Sequence, residues 1–524
     1  MKMKSRIKIF QLLAIVVILF ASSCSDSFFD EQAGDRITPD QHYMSYIDAM
    51  VTMEGAITPL KAALPNLILI DGLRSDQMDV TNNADGYLQA INLQEFSADN
   101  PYLDASDYYK VIININEALL NINKVFERDR NFDAYVTHYY KGALIGERSW
   151  VYLQILKLYG KAVLIKDNMA SLPSNLDQST LSKEALLDTL INQTLPYIFD
   201  PNVDKHIEIE FPYELGGGHH YVNSKGVVGE LYLEKGEYAN AIKYLKMALE
   251  SYNNSTGMYK VDKTYLNETW RNIFISAENG SSENIATFPY NMNEDQDNPL
   301  PKMMMYSDQF VVKPTQLLVD SFKNQVQLKG LIGDIARGMG VTIDTSSTGV
   351  PFINKYSVDR GEPLSSDIVY SRAADYHLLL AEALNRSGDE KTALIILNSG
   401  FSNEKSKPAA YFKWSSNLGV RGRAYLMPRV VPDSINVISG TDTTKIAFQG
   451  EDRIRFVEDL IMDERAMELA FEGKRWFDLV RVATRRNDPS YLADKVAAKF
   501  MGTPKYEAVK AKLMNPANWY LPVR

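Results

Sequence analysis

The sequence is poor in the residues that build covalent or metal-anchored folds. Its 524 residues contain one cysteine, Cys24, so no internal disulfide and no paired-cysteine zinc or redox site can form. The six histidines, His42, His138, His206, His219, His220 and His377, make no H-E-x-x-H or other metal-ligand spacing. The densest of them, G-G-G-H-H at 216–220, is explained by a flexible glycine turn ahead of a helix and has no third ligand nearby in sequence. There is neither a P-loop nor a G-x-S-x-G nucleophile turn. Basic residues are outnumbered, 56 Lys and Arg against 66 Asp and Glu, for a net charge of -10. That balance argues against general nucleic-acid binding, which needs cations to displace phosphate counterions. Long apolar runs are absent with one exception, Ile9 to Phe20, which falls short of the ~20 residues a spanning helix needs.

That run has the flanks of a signal peptide. Lys2, Lys4, Arg6 and Lys8 precede it, and the small residues Ala21, Ser22 and Ser23 lead to Cys24. A-S-S-C resembles a bacterial lipobox, so residues 1–23 are expected to be removed and Cys24 to carry the lipid. Several acyl chains on one residue hold a soluble body on a membrane where a single chain is marginal. The polar, acidic stretch 24–37 then reads as a tether.

Beyond it the pattern is helical. V-V-G-E-L-Y-L-E-K-G-E-Y-A-N-A-I-K-Y-L-K-M-A-L-E, residues 227–250, reads as a tetratricopeptide-like hairpin. Gly236 closes one helix, Tyr238 opens the next, and Ala241 and Ala248 let the pair approach closely. A second copy covers 375–398, with Gly388 and Ala393 in the same relation. Longer helices are expected over Asp107 to Phe126 and Ala134 to Tyr159, the latter with an apolar stripe of Leu144, Val151, Ile155 and Leu158. Lys183 to Phe199, interrupted by Pro196, and Phe456 to Val482 complete the helical set. Residues 64–106, 252–312, 334–366 and 400–450 read as irregular, with short strands near V-V-P-D-S-I-N-V-I around residue 430. The expected fold is therefore mainly α: tetratricopeptide-like helical-hairpin repeats, long irregular loops and a few short strands. Function is expected in the loops.

No catalytic motif stands out. Carboxylates are plentiful, and Glu464 and Glu468 share one helical face, but Arg465 and Arg475 are close in sequence and ion pairing is the simpler reading. The aromatic residues are more telling. Tyr87 in N-A-D-G-Y, Tyr102 in N-P-Y-L-D, Tyr290 in F-P-Y-N-M-N-E-D and Tyr306 in M-M-M-Y-S-D lie in loops among amides and carboxylates. Rings with polar neighbours suit a ligand that has apolar C–H faces and many hydroxyls, such as a sugar. Each ring could equally pin its own loop.

Several motifs along the chain carry a family resemblance. They are C-S-D-S-F-F-D at 24–30, R-S-W-V-Y-L-Q-I-L-K-L-Y-G at 148–160 and R-A-A-D-Y-H-L-L-L-A-E-A-L-N at 372–385. To these add I-M-D-E-R-A-M-E-L-A-F-E-G-K-R-W-F-D-L-V-R at 461–481, the most specific, and the final N-W-Y-L-P-V-R. Together they resemble the SusD/RagB family, surface lipoproteins of Bacteroidetes that capture nutrients, usually glycans. The resemblance implies a helical-repeat half at 38–255 and a loop-rich, family-like half at 256–524. It implies a non-catalytic binding protein, lipid-anchored through Cys24 and exposed on the outer membrane. An oligosaccharide or polysaccharide would be its ligand and a TonB-dependent β-barrel transporter of the SusC type its partner; no cofactor, no metal site and no nucleic-acid partner are expected from the residues, and a loop cation such as calcium is left open. R-S-D at 74–76 resembles a segment near the family's ligand face, which adds Arg74 and Asp76 to the candidate ligand contacts. Gly473 becomes a helix-ending turn, with Arg475, Trp476 and Phe477 packing the next helix against Glu464 and Glu468. One departure is Ala105, where the family often has Trp. A surface glycoside hydrolase using loop carboxylates and a peptide-binding repeat scaffold are the competing expectations.

Overall fold

The structure is a computed structural model. It describes residues 42–165, 180–198, 220–251, 259–261, 270, 272–275, 283–305, 309–326, 330–357, 362–403, 408–414, 417–423, 435–439, 442–446 and 449–522. The expectations for the signal segment 1–23, for Cys24 and the tether 24–37, and for His206, His219 and Tyr306 lie outside these residues.

Helices of seven or more residues are numbered in chain order. The first eight are α1 (Tyr46–Ile57), α2 (Leu60–Arg74), α3 (Gly86–Asn92), α4 (Ser106–Arg128), α5 (Ala134–Tyr159), α6 (Lys183–Thr194), α7 (Ser224–Lys235) and α8 (Tyr238–Leu249). Then come α9 (Gln316–Lys323), α10 (Ala373–Arg386), α11 (Glu390–Leu397), α12 (Gly450–Glu468), α13 (Arg475–Arg486), α14 (Pro489–Ala497) and α15 (Lys505–Leu513). The strands among the described residues form two-stranded antiparallel pairs, including Met78–Val80 with Val312–Pro314 and Asn284–Phe288 with Ile368–Arg372. The fold is mainly α, as the sequence pattern leads one to expect.

The two hairpins form where the small residues stand. Gly236 ends α7 in the left-handed region at φ 76°, and Gly388 takes φ 89° between α10 and α11. A Cβ on Gly229 would meet Leu245 Cγ at 2.7 Å, so the α7–α8 approach tolerates only hydrogen there. Ala241, Ala248 and Ala393 are fully buried at the seams. Helix α10 packs on α8 as well as on α11 and α12, so the hairpins stack and bury a continuous core. The stripe of Leu144, Val151, Ile155 and Leu158 on α5 is buried throughout. Near residue 430, Ile435–Ser439 pairs with Asp442–Ile446.

The stretch 64–106 is far more ordered than its composition suggests. It holds most of α2, the strand Met78–Val80 and all of α3. Helix α2 is buried on nearly every side, from Leu60 to Arg74. It therefore lacks the apolar and polar faces that a periodicity argument looks for. Pro65 adds a misleading break signal at a point where neighbouring helices supply the packing. The C-terminal helices α14 and α15 were equally silent in the pattern. The two larger hydrophobic cores among the described residues draw residues from before and after position 255, so the two halves are packed into one another.

Candidate functional site

The corner at residues 464–481 is a structural knot. Gly473 turns the chain at φ 71°, and Trp476 behind it is fully buried. Ion pairing does account for Glu464 and Glu468, but not with the partners expected. Glu464 accepts from Arg337 at 2.5 Å and Arg421 at 2.6 Å. Glu468 accepts from Arg337 at 2.7 Å, Arg372 at 2.8 Å and also from Arg423. Arg465 instead pairs with Asp478 at 2.7 Å and Asp375 at 2.9 Å, and Arg475 grips Asp76 with two bonds of 2.8 and 2.7 Å. With Glu283, Asp334, Lys355 and Glu472, the cluster around Glu468 is a charge-balanced set of five cations and five anions, nearly all buried. Burial opposes ionisation of Glu468, but Arg423, Arg372 and Arg337 outweigh it and hold the carboxyl well below the ordinary range. These bonds tie the loop segments around Glu283, Asp334–Arg337, Lys355 and Arg421–Arg423 onto α12 and the turn that follows it. No carboxylate in this set faces solvent, which removes Glu464 and Glu468 as a hydrolytic pair.

Two of the candidate ligand contacts, Arg74 and Tyr290, are internal, and a third, Asp76, is tied up in an ion pair. Arg74 is 0% exposed: its guanidinium lies 3.9 Å from the Trp476 ring centroid and donates to the Trp519 carbonyl at 3.0 Å and to Gln94 at 3.0 Å. It cross-links α2 to the C-terminal segment and cannot reach a ligand. Asp76 spends both oxygens on Arg475. Tyr290 is 4% exposed and donates its hydroxyl to the Lys61 carbonyl at 2.8 Å, so it pins its loop from inside. The placements of Arg74 and Tyr290 share one cause. The polar sequence around them signals a surface, while contacts more than 200 residues away enclose them.

Tyr87 and Tyr102 do come together at the surface, and local chemistry explains how. Asp85 caps α3, accepting the Leu88 N–H on Oδ1 at 2.8 Å, and its Oδ2 accepts the Tyr102 hydroxyl at 3.0 Å. Asn100 starts the turn Pro101–Leu103 by accepting the Tyr102 N–H at 3.1 Å, and its amide donates to the Tyr87 carbonyl at 3.3 Å. The Tyr87 hydroxyl donates to Asp99 at 3.1 Å. Each ring is thus half-buried and held by its hydroxyl. Burial, then the Asp85 charge, pushes the Tyr102 phenol up to about 12, so it stays protonated at neutral pH. Next to this pair, Thr81 and Asn83 donate to the Phe310 carbonyl at 2.6 and 3.4 Å. Phe310 in turn lies 6.4 Å from the half-exposed Phe352 ring.

The result is a surface strip that carries the two half-buried tyrosines and the exposed Asn82, Asn83, Asp85 and Asp99, while Asn100 itself is buried. Such a strip offers C–H and π contact together with directional hydrogen bonds, and no nucleophile or activated base. Asp85, Asp99, Asn100 and Phe352 were not singled out from sequence, although N-A-D-G-Y and N-P-Y carry the cap and turn signals that order the first three. No grouping of His, Cys, Asp and Glu among the described residues could hold a metal. His220, from the G-G-G-H-H cluster, pairs with Glu54 at 2.6 Å.

Comparison with known proteins agrees with this architecture. The SusD family model matches residues 336–524, the part that holds the arginines and glutamates of the buried cluster other than Glu283. No curated protein matches the chain. A SusD superfamily protein from Bacteroides vulgatus shares the fold with a TM-score of 0.61 at 17% identity, over 90% of this chain and 93% of its own. A SusD-like carbohydrate binding protein from Bacteroides fragilis aligns with a TM-score of 0.56 at 15% identity, covering 86% of this chain and 88% of its own. For a laminarin binding SusD-like protein the values are 0.55 and 17%, over 88% and 96%. The SusD family match thus lies on the C-terminal part of the chain, residues 336–524, and the fold shared with SusD-like proteins extends over most of the chain.

Proposed function

We propose that this protein is a non-catalytic glycan-binding lipoprotein. It is anchored in the outer membrane through Cys24, exposed at the cell surface, and passes its ligand to a TonB-dependent β-barrel transporter. The observation that carries the reading is the strip itself: Tyr87 and Tyr102 stand half-buried in one local hydrogen-bond network, each ring locked through its hydroxyl to a carboxylate. Rings fixed before the ligand arrives lose little entropy on binding, which favours recognition by a small contact area. Solved relatives with this fold include carbohydrate-binding and laminarin-binding proteins. Enclosure of Glu464 and Glu468 by arginines supports the non-catalytic assignment, and the signal-like N-terminus supports the anchor.

The test is calorimetric titration with a panel of oligosaccharides, using the native chain and a Tyr87→Ala/Tyr102→Ala variant. A glycan should bind, and the variant should weaken it by about tenfold or more, since each stacked ring is worth ~1 kcal/mol. Unchanged affinity in the variant would put the site elsewhere. Delivery is tested by pull-down of the tagged protein from mildly solubilised outer membranes. Near-stoichiometric recovery of a β-barrel transporter is expected, and its absence would refute the partnership.

A further inference from the structure

Lys499 stands in the single turn Ala498–Phe500 after α14, and its amine is enclosed by oxygens from the other end of the chain. It donates to the Leu73, Ser75 and Met78 carbonyls, the last two at 3.0 and 3.2 Å, and to Asn92 Oδ1 at 2.7 Å. Four acceptors thus surround a group that carries at most three protons. Asn92, 2% exposed at the end of α3, donates its Nδ2 to Asp79 Oδ1 at 2.8 Å. Asp79 is half-buried, and its second oxygen makes no hydrogen bond among the described residues. We propose that this lysine–asparagine–aspartate constellation forms an intramolecular isopeptide bond between Lys499 Nζ and Asn92 Cγ.

The geometry meets the needs of that reaction. A nitrogen 2.7 Å from Oδ1 lies at most about 3.9 Å from Cγ, the C=O bond being ~1.23 Å long. The three backbone carbonyls fix its position, and a turn of the amide plane presents the face of Cγ to it. Enclosure strips water from the amine and lowers it to about 7, against the pull of Asp79 and Asp76, so a large share is neutral at physiological pH. Asp79 supplies the proton carrier. The amine attacks Cγ and the new C–N bond forms. Its surplus proton passes through Asp79 to Nδ2, the Cγ–Nδ2 bond breaks, and ammonia leaves. The atoms balance without a co-reactant, and burial of Asn92 keeps water from competing for Cγ.

The bond joins positions 407 apart and holds α3, with Tyr87 in its first turn, to the C-terminal helices. Closing so long a loop restricts the unfolded chain. Lys141 makes a similar contact with Asn123 Oδ1, at 2.8 Å, but in the open, where the amine stays hydrated. That pair is the internal control.

The test is tryptic digestion of the denatured full chain followed by tandem mass spectrometry. Trypsin does not cut after an acylated lysine. Residues 75–110 should therefore appear joined to 496–505, at the summed mass of the two peptides less one ammonia. Asp79→Asn keeps both ends of the bond and removes the proton carrier, so the joined species should fall by at least about tenfold. Lys141 and Asn123 should stay unjoined. The map of the native chain decides whether the bond exists: recovery of 75–110 and of peptides cut at Lys499, with no joined species, would overturn the proposal. So would undiminished joining in the Asp79→Asn protein, or a Lys141–Asn123 link of similar yield, since either makes the bond independent of this geometry.

Discussion

Replacing Glu147 by Gln should stabilise this protein, and the gain should depend on pH in a direction set by the structure. Glu147 lies on α5, is 0% exposed and has no ion-pair partner among the described residues. One oxygen accepts the Val222 N–H at 2.9 Å, and the other sits 3.3 Å from the Tyr370 hydroxyl. That hydroxyl has a single proton, which it also directs to the His220 carbonyl, so it satisfies a carboxylate poorly. Burial dominates and pushes the carboxyl from its ordinary 4.5 up to about 8, against the Val222 and Tyr370 bonds.

A carboxyl raised in the folded state contributes stability that is fully present below about pH 4.5 and is lost as pH rises through about 8. At about 1.4 kcal/mol per unit, roughly 3 kcal/mol is gone by pH 7. A Gln keeps the Val222 bond through its carbonyl and donates to the Tyr370 oxygen through its amide. The E147Q protein should therefore match the native one near pH 5 and exceed it by about 2–3 kcal/mol at pH 7. Urea unfolding followed by fluorescence, run on both proteins from pH 5 to 9, measures the difference directly. Trp150 serves as reporter, with its ring 4.9 Å from that of Tyr370. All other titrations cancel in that difference. A flat difference across the range would refute the account of Glu147.

Three further outcomes follow from the packing. Glu468→Gln leaves Arg337, Arg372 and Arg423 short of charge inside the protein and should cost about 3–5 kcal/mol by chemical denaturation, so a loss under ~1 kcal/mol would deny the cluster its role. Trp476→Ala removes a fully buried ring that also carries the Arg74 guanidinium and should cost about 3–5 kcal/mol by the same measurement. Gly229→Val drives carbon into Leu245 at the α7–α8 seam, and a destabilisation of at least ~1–3 kcal/mol is expected from thermal melts, with an unchanged melt arguing that the helices are farther apart.

The hairpins, the glycine stops and the α5 stripe were legible from the chain because they are local. A left-handed turn at Gly236 or Gly388 and a small residue every seventh position are written within a few turns of helix. The meeting of Tyr87 and Tyr102 was nearly legible for the same reason, since Asp85 and Asn100 act within 17 residues of their partners. Helix α2 escaped notice because burial on nearly all sides erases the periodicity that marks a helix lying on a surface.

Partner choice was settled only by the tertiary structure. Glu464 and Glu468 have arginines within a few residues, yet their bonds go to Arg337, Arg372, Arg421 and Arg423, between 43 and 131 positions away. Arg74 and Tyr290 carry the polar neighbourhoods of surface residues and end up enclosed. A side chain's range in sequence fixes its caps and turns. Whether it meets water, and which charge answers it, depends on elements brought in from far along the chain, and a buried charge can persist only where such elements close around it.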